Sequence, residues 1–202
     1  MRAAVADGRV ARGARTREAL AEALISLIEE GDPQPTARRI AERAGVSLRL
    51  VFHHFEDVES VLKAAVTVQE QRHWAQLVEV PATLPLAERL AAVVRQRVAV
   101  YRAVAPVRRS ARLLAHTSPT IAAEVARGRA ALRRQLEVTF ASELRRLDPG
   151  AARTALDALD VALSWETWEQ IDRLGRSSAA CRRTMATLAT GALSAPTTGG
   201  GP

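Results

Sequence analysis

The chain has 202 residues, of which 48% are hydrophobic and 3% aromatic, and it carries a net charge of +7. That is enough apolar material for a sizeable core, and the gathering of Gly and Pro at a few points favours helices throughout. The basic excess suits a polyanionic partner such as nucleic acid, although an Ala- and Arg-rich bias also arises without any function.

Residues 1–15 carry Arg2, Arg9, Arg12 and Arg15 without apolar periodicity, which reads as a flexible basic arm. From Thr16 to Glu30, Leu20, Leu24, Leu27 and Ile28 recur at helical spacing. The breaker GDPQP, residues 31–35, stops that helix. Thr36 is placed to cap a second helix over 37–44, and Gly45 and Val46 make a turn. Ser47 caps a third helix to about His54, and Asp57 caps a fourth that runs to about Val78. The loop VPATLP follows, then a helix over 85–104 that Pro106 is expected to break, and a short helix over 107–115. Ser118-Pro119 and Asp148-Pro149 repeat one cap-then-proline signature and open helices to about Leu147 and Leu174. A last helix starts at Ser177 or Ser178 and fades by Leu193, and the tail 196–202 is low in complexity and reads as disordered. The expectation is an all-α protein of about nine helices, with no internal repeat.

Lys63 is the only lysine among 29 basic residues, and Cys181 is the only cysteine, so no intramolecular disulfide can form. No apolar run reaches the roughly 18 residues that a membrane span needs. The best candidate, LAAVVRQRVAVYRAVAPV, is interrupted by Arg95, Arg97 and Arg102. With no signal-peptide pattern at the start, a cytoplasmic protein without membrane contact is expected.

The second and third helices, joined by a turn at Gly45, form a helix-turn-helix arrangement. Gly45 suits positive φ in so tight a reversal. Val51 and Phe55 should face inward against Leu24, Ile28 and Ile40. Ser47, Leu48, Arg49, Phe52 and His53 are left facing outward. In such units the second helix enters the major groove. Arg49 is the one outward residue able to make the two-pronged contact to guanine, and Leu48 can meet a thymine methyl.

Residues 16–66 resemble the DNA-binding domain of TetR-type transcriptional regulators. The resemblance rests on T-x-x-x-I-A-x-x-A-G-V-S over Thr36–Ser47, followed by an aromatic-x-x-Phe ending before a capped fourth helix. It covers about a quarter of the chain. It implies a sequence-specific DNA-binding regulator, with Thr36, Arg38, Arg39, Ser47, Leu48, Arg49, Phe52 and His53 at the DNA. The family usually has Tyr where this chain has Phe52, Lys where it has Val58, and Thr or Ser where it has Leu50. The arginines of the arm (Arg9, Arg12, Arg15), with Arg17, Arg38 and Arg39, are expected to replace the phosphate contacts so lost.

The resemblance also implies that residues 67–195 bind a small-molecule effector and form a homodimer through the last two helices. A near-palindromic operator and repression relieved by the effector follow from it. Leu156, Leu159, Leu163, Thr167, Ile171 and Leu174, with Met185, Leu188, Ala189, Ala192 and Leu193, form stripes that suit either such an interface or the protomer's own core. Trp74, Arg97, Tyr101, His116, Phe140, Trp165 and Trp168 are the candidate effector residues.

Nothing points to catalysis. There is no G-x-S-x-G, no phosphate-binding glycine loop and no zinc-ligand spacing. His53 and His54 are neighbours and point about 100° apart on a helix, and His53-x-x-Glu56 spans a helix end. No metal and no cofactor is implied. The alternative function is a ligand-independent architectural DNA-binding protein.

Overall fold

The computed structural model describes residues 2–194; the tail expected at 196–202 lies outside the described residues. Ten helices and no strand make up the described residues, so the protein is all-α. They are α1 (Arg2–Glu29), α2 (Ala37–Ala44), α3 (Leu48–His54), α4 (Val58–Trp74) and α5 (Leu86–Ala115), then α6 (Pro119–Thr139), α7 (Ala141–Leu144), α8 (Pro149–Ala162), α9 (Trp165–Arg173) and α10 (Ser178–Ser194). No helix among them is long and apolar enough to cross a membrane.

The chain divides into two compact units. One gathers the residues up to Trp74 with Val104–Arg127; the other gathers Ala75–Ala103 with the residues from Gly128 onward. Helices α5 and α6 each contribute to both.

In the first unit, α1 packs against α2, α3 and α4. Leu20, Leu24, Leu27 and Ile28 of α1 meet Ile40 and Ala41 of α2, Val51 of α3, Phe55, and Val61, Leu62 and Ala65 of α4 in one buried cluster. Val107, Ala111 and Ile121 close it from α5 and α6. The local capping chemistry sets where each short helix starts. The Thr36 hydroxyl accepts from the Arg39 amide at 3.3 Å, Ser47 from Leu50 at 3.2 Å, and Asp57 from Ser60 at 2.7 Å. Gly45 ends α2 with φ +66, a conformation that costs an L-residue roughly 1–2 kcal/mol.

In the second unit, α10 packs against α8 and α9. Its core holds Tyr101, Phe140, Leu159, Leu163, Trp165, Trp168 and Met185. Cys181 is buried there, and that burial pushes its thiol above the ordinary range.

Besides α4, which ends at Trp74 where the sequence suggests about Val78, four boundaries depart from the sequence expectation. Helix α1 begins at Arg2, so the stretch read as a flexible arm is helical; Ala and Arg favour a helix even where no apolar face marks one. Pro106 lies inside α5, because one lost backbone hydrogen bond bends a long helix without ending it when its neighbours are buried, as Ala105 and Val107 are. The helix expected from 118 to 147 is interrupted at Phe140, and that expected from 148 to 174 at Leu163–Ser164. There the Ser164 hydroxyl accepts from the Thr167 amide at 3.1 Å and starts α9 afresh.

One ion pair fixes the acid limit of the second unit. Arg89 donates to Glu143 at 2.5 and 2.9 Å and also to the Thr139 carbonyl at 2.7 Å, with both side chains largely buried. The hydrogen bonds from Arg89 hold the Glu143 carboxyl down at about 2, from an ordinary value of 4.5. A lowered folded-state pKa means that the stabilisation is complete above pH 4.5 and drains as the pH falls toward 2. The gap corresponds to on the order of 3 kcal/mol. Denaturant unfolding followed between pH 5 and pH 2 should show this loss, and Glu143→Gln should flatten that part of the profile. An unaltered acid limb in the variant rules the pair out as its cause.

Candidate functional site

The reading surface starts from α3, a seven-residue helix that buries one side chain and exposes most of the others. Val51 points into the core of the first unit, and Phe55 follows it as the extended residue that ends the helix. Leu48, Arg49, Phe52 and His53 are exposed, with Leu48 at 39% and Phe52 at 52%. Residues four apart on a helix sit one above the other, so Leu48 and Phe52 form an apolar row beside a row of Arg49 and His53. Among the described residues Arg49 has no ion-pair partner, which leaves its five donors for an external acceptor.

The structure exposes all eight residues that the sequence assigned to DNA contact, and each lies on α2, α3 or a cap of one of them. They are not equally available. Thr36 and Ser47 use a hydroxyl lone pair on their own helix, which leaves the O–H free to donate. Arg39 is paired with Asp32, so part of its charge is already met, whereas Arg38 has no ion-pair partner among the described residues. Arg43 forms a two-pronged pair with Glu30, one arm at 2.7 Å, which holds the Glu30 carboxyl below its usual range.

Arg17, expected among the phosphate contacts, is exposed and also makes contacts within the protein. Its guanidinium donates to the His54 carbonyl and lies 4.2 Å from the centre of the Phe55 ring. A cation here caps the C-terminal end of α3 and ties it to α1, where the helix dipole favours positive charge. One of its five donors is engaged there, and the side chain is otherwise exposed. His54 stands edge-on to His53 at 5.1 Å, and burial, then His53 and Arg17, lower its pKa. It is the more buried member of the histidine pair.

The candidate effector residues fall into two groups. Trp74 lines a cavity of about 40 Å³ in the first unit, with Val66, Gln69, Glu70, Val107 and Ala111 among its walls. Gln69 is buried there and its side-chain oxygen has no hydrogen-bond partner. Burial raises the Glu70 carboxyl above its usual range, against the opposing pull of Arg127 at 3.4 Å. Neither Gln69 nor Glu70 stood out in the sequence, since a polar residue at one position of a long helix carries no sign of which way it points. Arg97, Tyr101, Phe140, Trp165 and Trp168 are fully buried in the core of the second unit and do not line that cavity. His116 is exposed just beyond the end of α5.

No protein-family model and no curated protein matches the sequence. Solved structures do match. A transcriptional regulator from Rhodococcus sp. Rha1 superposes with a TM-score of 0.71 at 23% identity, over 88% of this chain and 95% of that one. A TetR-family transcriptional regulator from Streptomyces coelicolor gives 0.65 at 20% identity, over 87% and 79% of the two chains. GusR from Salmonella enterica gives 0.59 at 19% identity, over 89% and 95%. The likeness runs far beyond the helix-turn-helix quarter of the chain, and this protein has the all-α fold of the TetR-family transcriptional regulators.

Proposed function

We propose that the chain is a homodimeric, sequence-specific DNA-binding regulator that uses α3 as its reading helix and is released from its operator by a small molecule. The observation that carries the reading is the split of α3 into a buried anchor, Val51, and an outward set of Leu48, Arg49, Phe52 and His53. A surface built only to hold phosphates has no use for two exposed apolar side chains beside an arginine. That favours contact with bases over contact with phosphates alone.

The dimer rests on what the second unit leaves outside. Leu159, Leu163, Ile171, Met185 and Ala189 fill its own core, so five of the eleven residues of the predicted stripes are spent within the protomer. Val161, Leu174 and Leu188 stay exposed on α8, at the end of α9 and on α10, and supply the apolar contacts of a two-fold interface. For the effector, the cavity under Trp74 offers an apolar wall and the Gln69 side-chain oxygen, which has no hydrogen-bond partner. At about 40 Å³ it has room for only a few waters, so an effector of ordinary size must open it.

Selection of duplexes from a random pool by the full-length chain tests the reading. The expected product is an inverted repeat whose half-sites lie about 34 Å apart, one turn of DNA. Recovery of no preferred sequence would leave the architectural alternative standing in its place.

A further inference from the structure

We propose that Leu48 and Phe52 form an apolar plate that reads thymine methyl groups in the operator half-site, beside the guanine taken by Arg49. The inference rests on the reading of α3 as the DNA-contacting helix. It adds the chemistry of the bases that α3 selects.

Phe52 is half exposed and has no polar atom on its ring, so it cannot donate to a phosphate. Leu48 is exposed one turn before it on the same face. Exposed apolar residues occur elsewhere on the chain and singly need no explanation. This pair differs in its setting. It is contiguous, it lies next to Arg49, and of the other arginines on α2 Arg38 has no ion-pair partner among the described residues, while Arg39 and Arg43 are paired with Asp32 and Glu30. The positive charge of Arg38 and Arg49 brings a polyanion against the plate. In the major groove the thymine C5-methyl is the apolar feature that projects from the base edges. Four residues of helix rise span about 6 Å, close to two base-pair steps of about 3.4 Å each. The plate is therefore long enough to cover methyls on two successive pairs, next to the guanine that the neighbouring row engages.

The plate also accounts for how a phosphate-binding hydroxyl can be absent at position 52. The contact energy comes from methyl burial, and the charge contact passes to Arg38, which has no ion-pair partner among the described residues. Binding then depends on a single carbon atom per base, which can be removed without touching any hydrogen bond.

The test uses the full-length protein and the inverted repeat that it selects from random duplexes. Each thymine in a half-site is replaced by uracil, symmetrically in both half-sites, and affinity is measured for the parent, Leu48→Ala and Phe52→Ala. Each methyl is expected to be worth about fourfold, so a symmetrical replacement costs about fifteenfold. The loss should be confined to one or two positions beside a guanine. It should vanish in whichever variant lacks the side chain that meets that methyl. Thermal melting of the two variants should match the parent, because both side chains are exposed. A selected operator that tolerates uracil everywhere overturns the plate and leaves the regulator reading intact, and so does a uracil penalty that both variants retain. A chain that selects no sequence at all fails at the earlier step and takes the plate with it.

Discussion

Arg49→Ala should abolish specific operator binding while leaving the fold untouched. A two-pronged arginine–guanine contact is worth about 1–3 kcal/mol against the wrong base. A dimer places one such contact in each half-site, so losing both should weaken binding to the selected duplex by about 30-fold to 10⁴-fold. Nothing inside the protein depends on this side chain. It is exposed and has no ion-pair partner among the described residues, so the melting temperature should stay with the parent's. Arg49→Lys sharpens the reading. It keeps the charge and loses the planar fork, so binding to unrelated duplex and its salt dependence should persist while discrimination collapses. Fluorescence anisotropy with selected and scrambled duplexes, at two salt concentrations, measures all of this. If Arg49→Ala holds the selected duplex as tightly as the parent does, α3 is not the reading helix.

The reading head was legible because each of its boundaries carries its own residue. Thr36, Gly45, Ser47 and Asp57 act through local hydrogen bonds or one backbone angle, and such effects do not wait for the rest of the fold. Its core was legible from spacing alone, since Val51 and Phe55 have a single apolar face to join. What went unread depends on neighbours distant in sequence. Pro106 looks like a stop until its flanking residues are seen to be buried. Arg17 gives no sign in the sequence of its contact with the ring of Phe55, far along the chain. The helical start of α1 carries another lesson: apolar periodicity reports burial against a core, and a helix can form on Ala and Arg propensity without it. The break at Ser164 did have a local signal, a serine three residues before its hydrogen-bonding partner Thr167. The leucine periodicity running across it hid that signal.

Arg97 is expected to be the most costly exposed-looking residue to remove, with an effect on folding where the sequence pointed to a ligand. It is 1% exposed in the core of the second unit. Its guanidinium donates to the Leu132 carbonyl at 2.6 Å, to Gln135 at 3.1 Å, to the Tyr101 hydroxyl at 3.2 Å and to the Leu163 carbonyl at 3.4 Å. Tyr101 in turn donates to the same Leu163 carbonyl at 2.9 Å. Leu163 is the residue at which α8 ends, and a helix end leaves carbonyls without partners in the chain's own ladder. Arg97 and Tyr101 meet that need at a buried site, with a cation at the negative end of the helix dipole. Arg97→Ala removes the hydrogen bonds to the Leu132 carbonyl and the Gln135 oxygen, at roughly 0.5–1.5 kcal/mol each, leaves Tyr101 alone on the Leu163 carbonyl, and opens a void besides. A total of about 3–5 kcal/mol is expected, a fall of roughly 6–20 °C in melting temperature for a chain of this size. Arg97→Met refills the volume and should recover part of that loss, so the difference between the two variants separates packing from hydrogen bonding. Tyr101→Phe keeps the ring and removes one bond, which should cost only about 1 kcal/mol because Arg97 still reaches the carbonyl. Calorimetry on the three variants orders them Arg97→Ala, Arg97→Met, Tyr101→Phe from least to most stable. Were Arg97→Ala to melt with the parent, the α8–α9 junction would not need this arginine, and a role toward a bound molecule would be the better account of why a cation sits there.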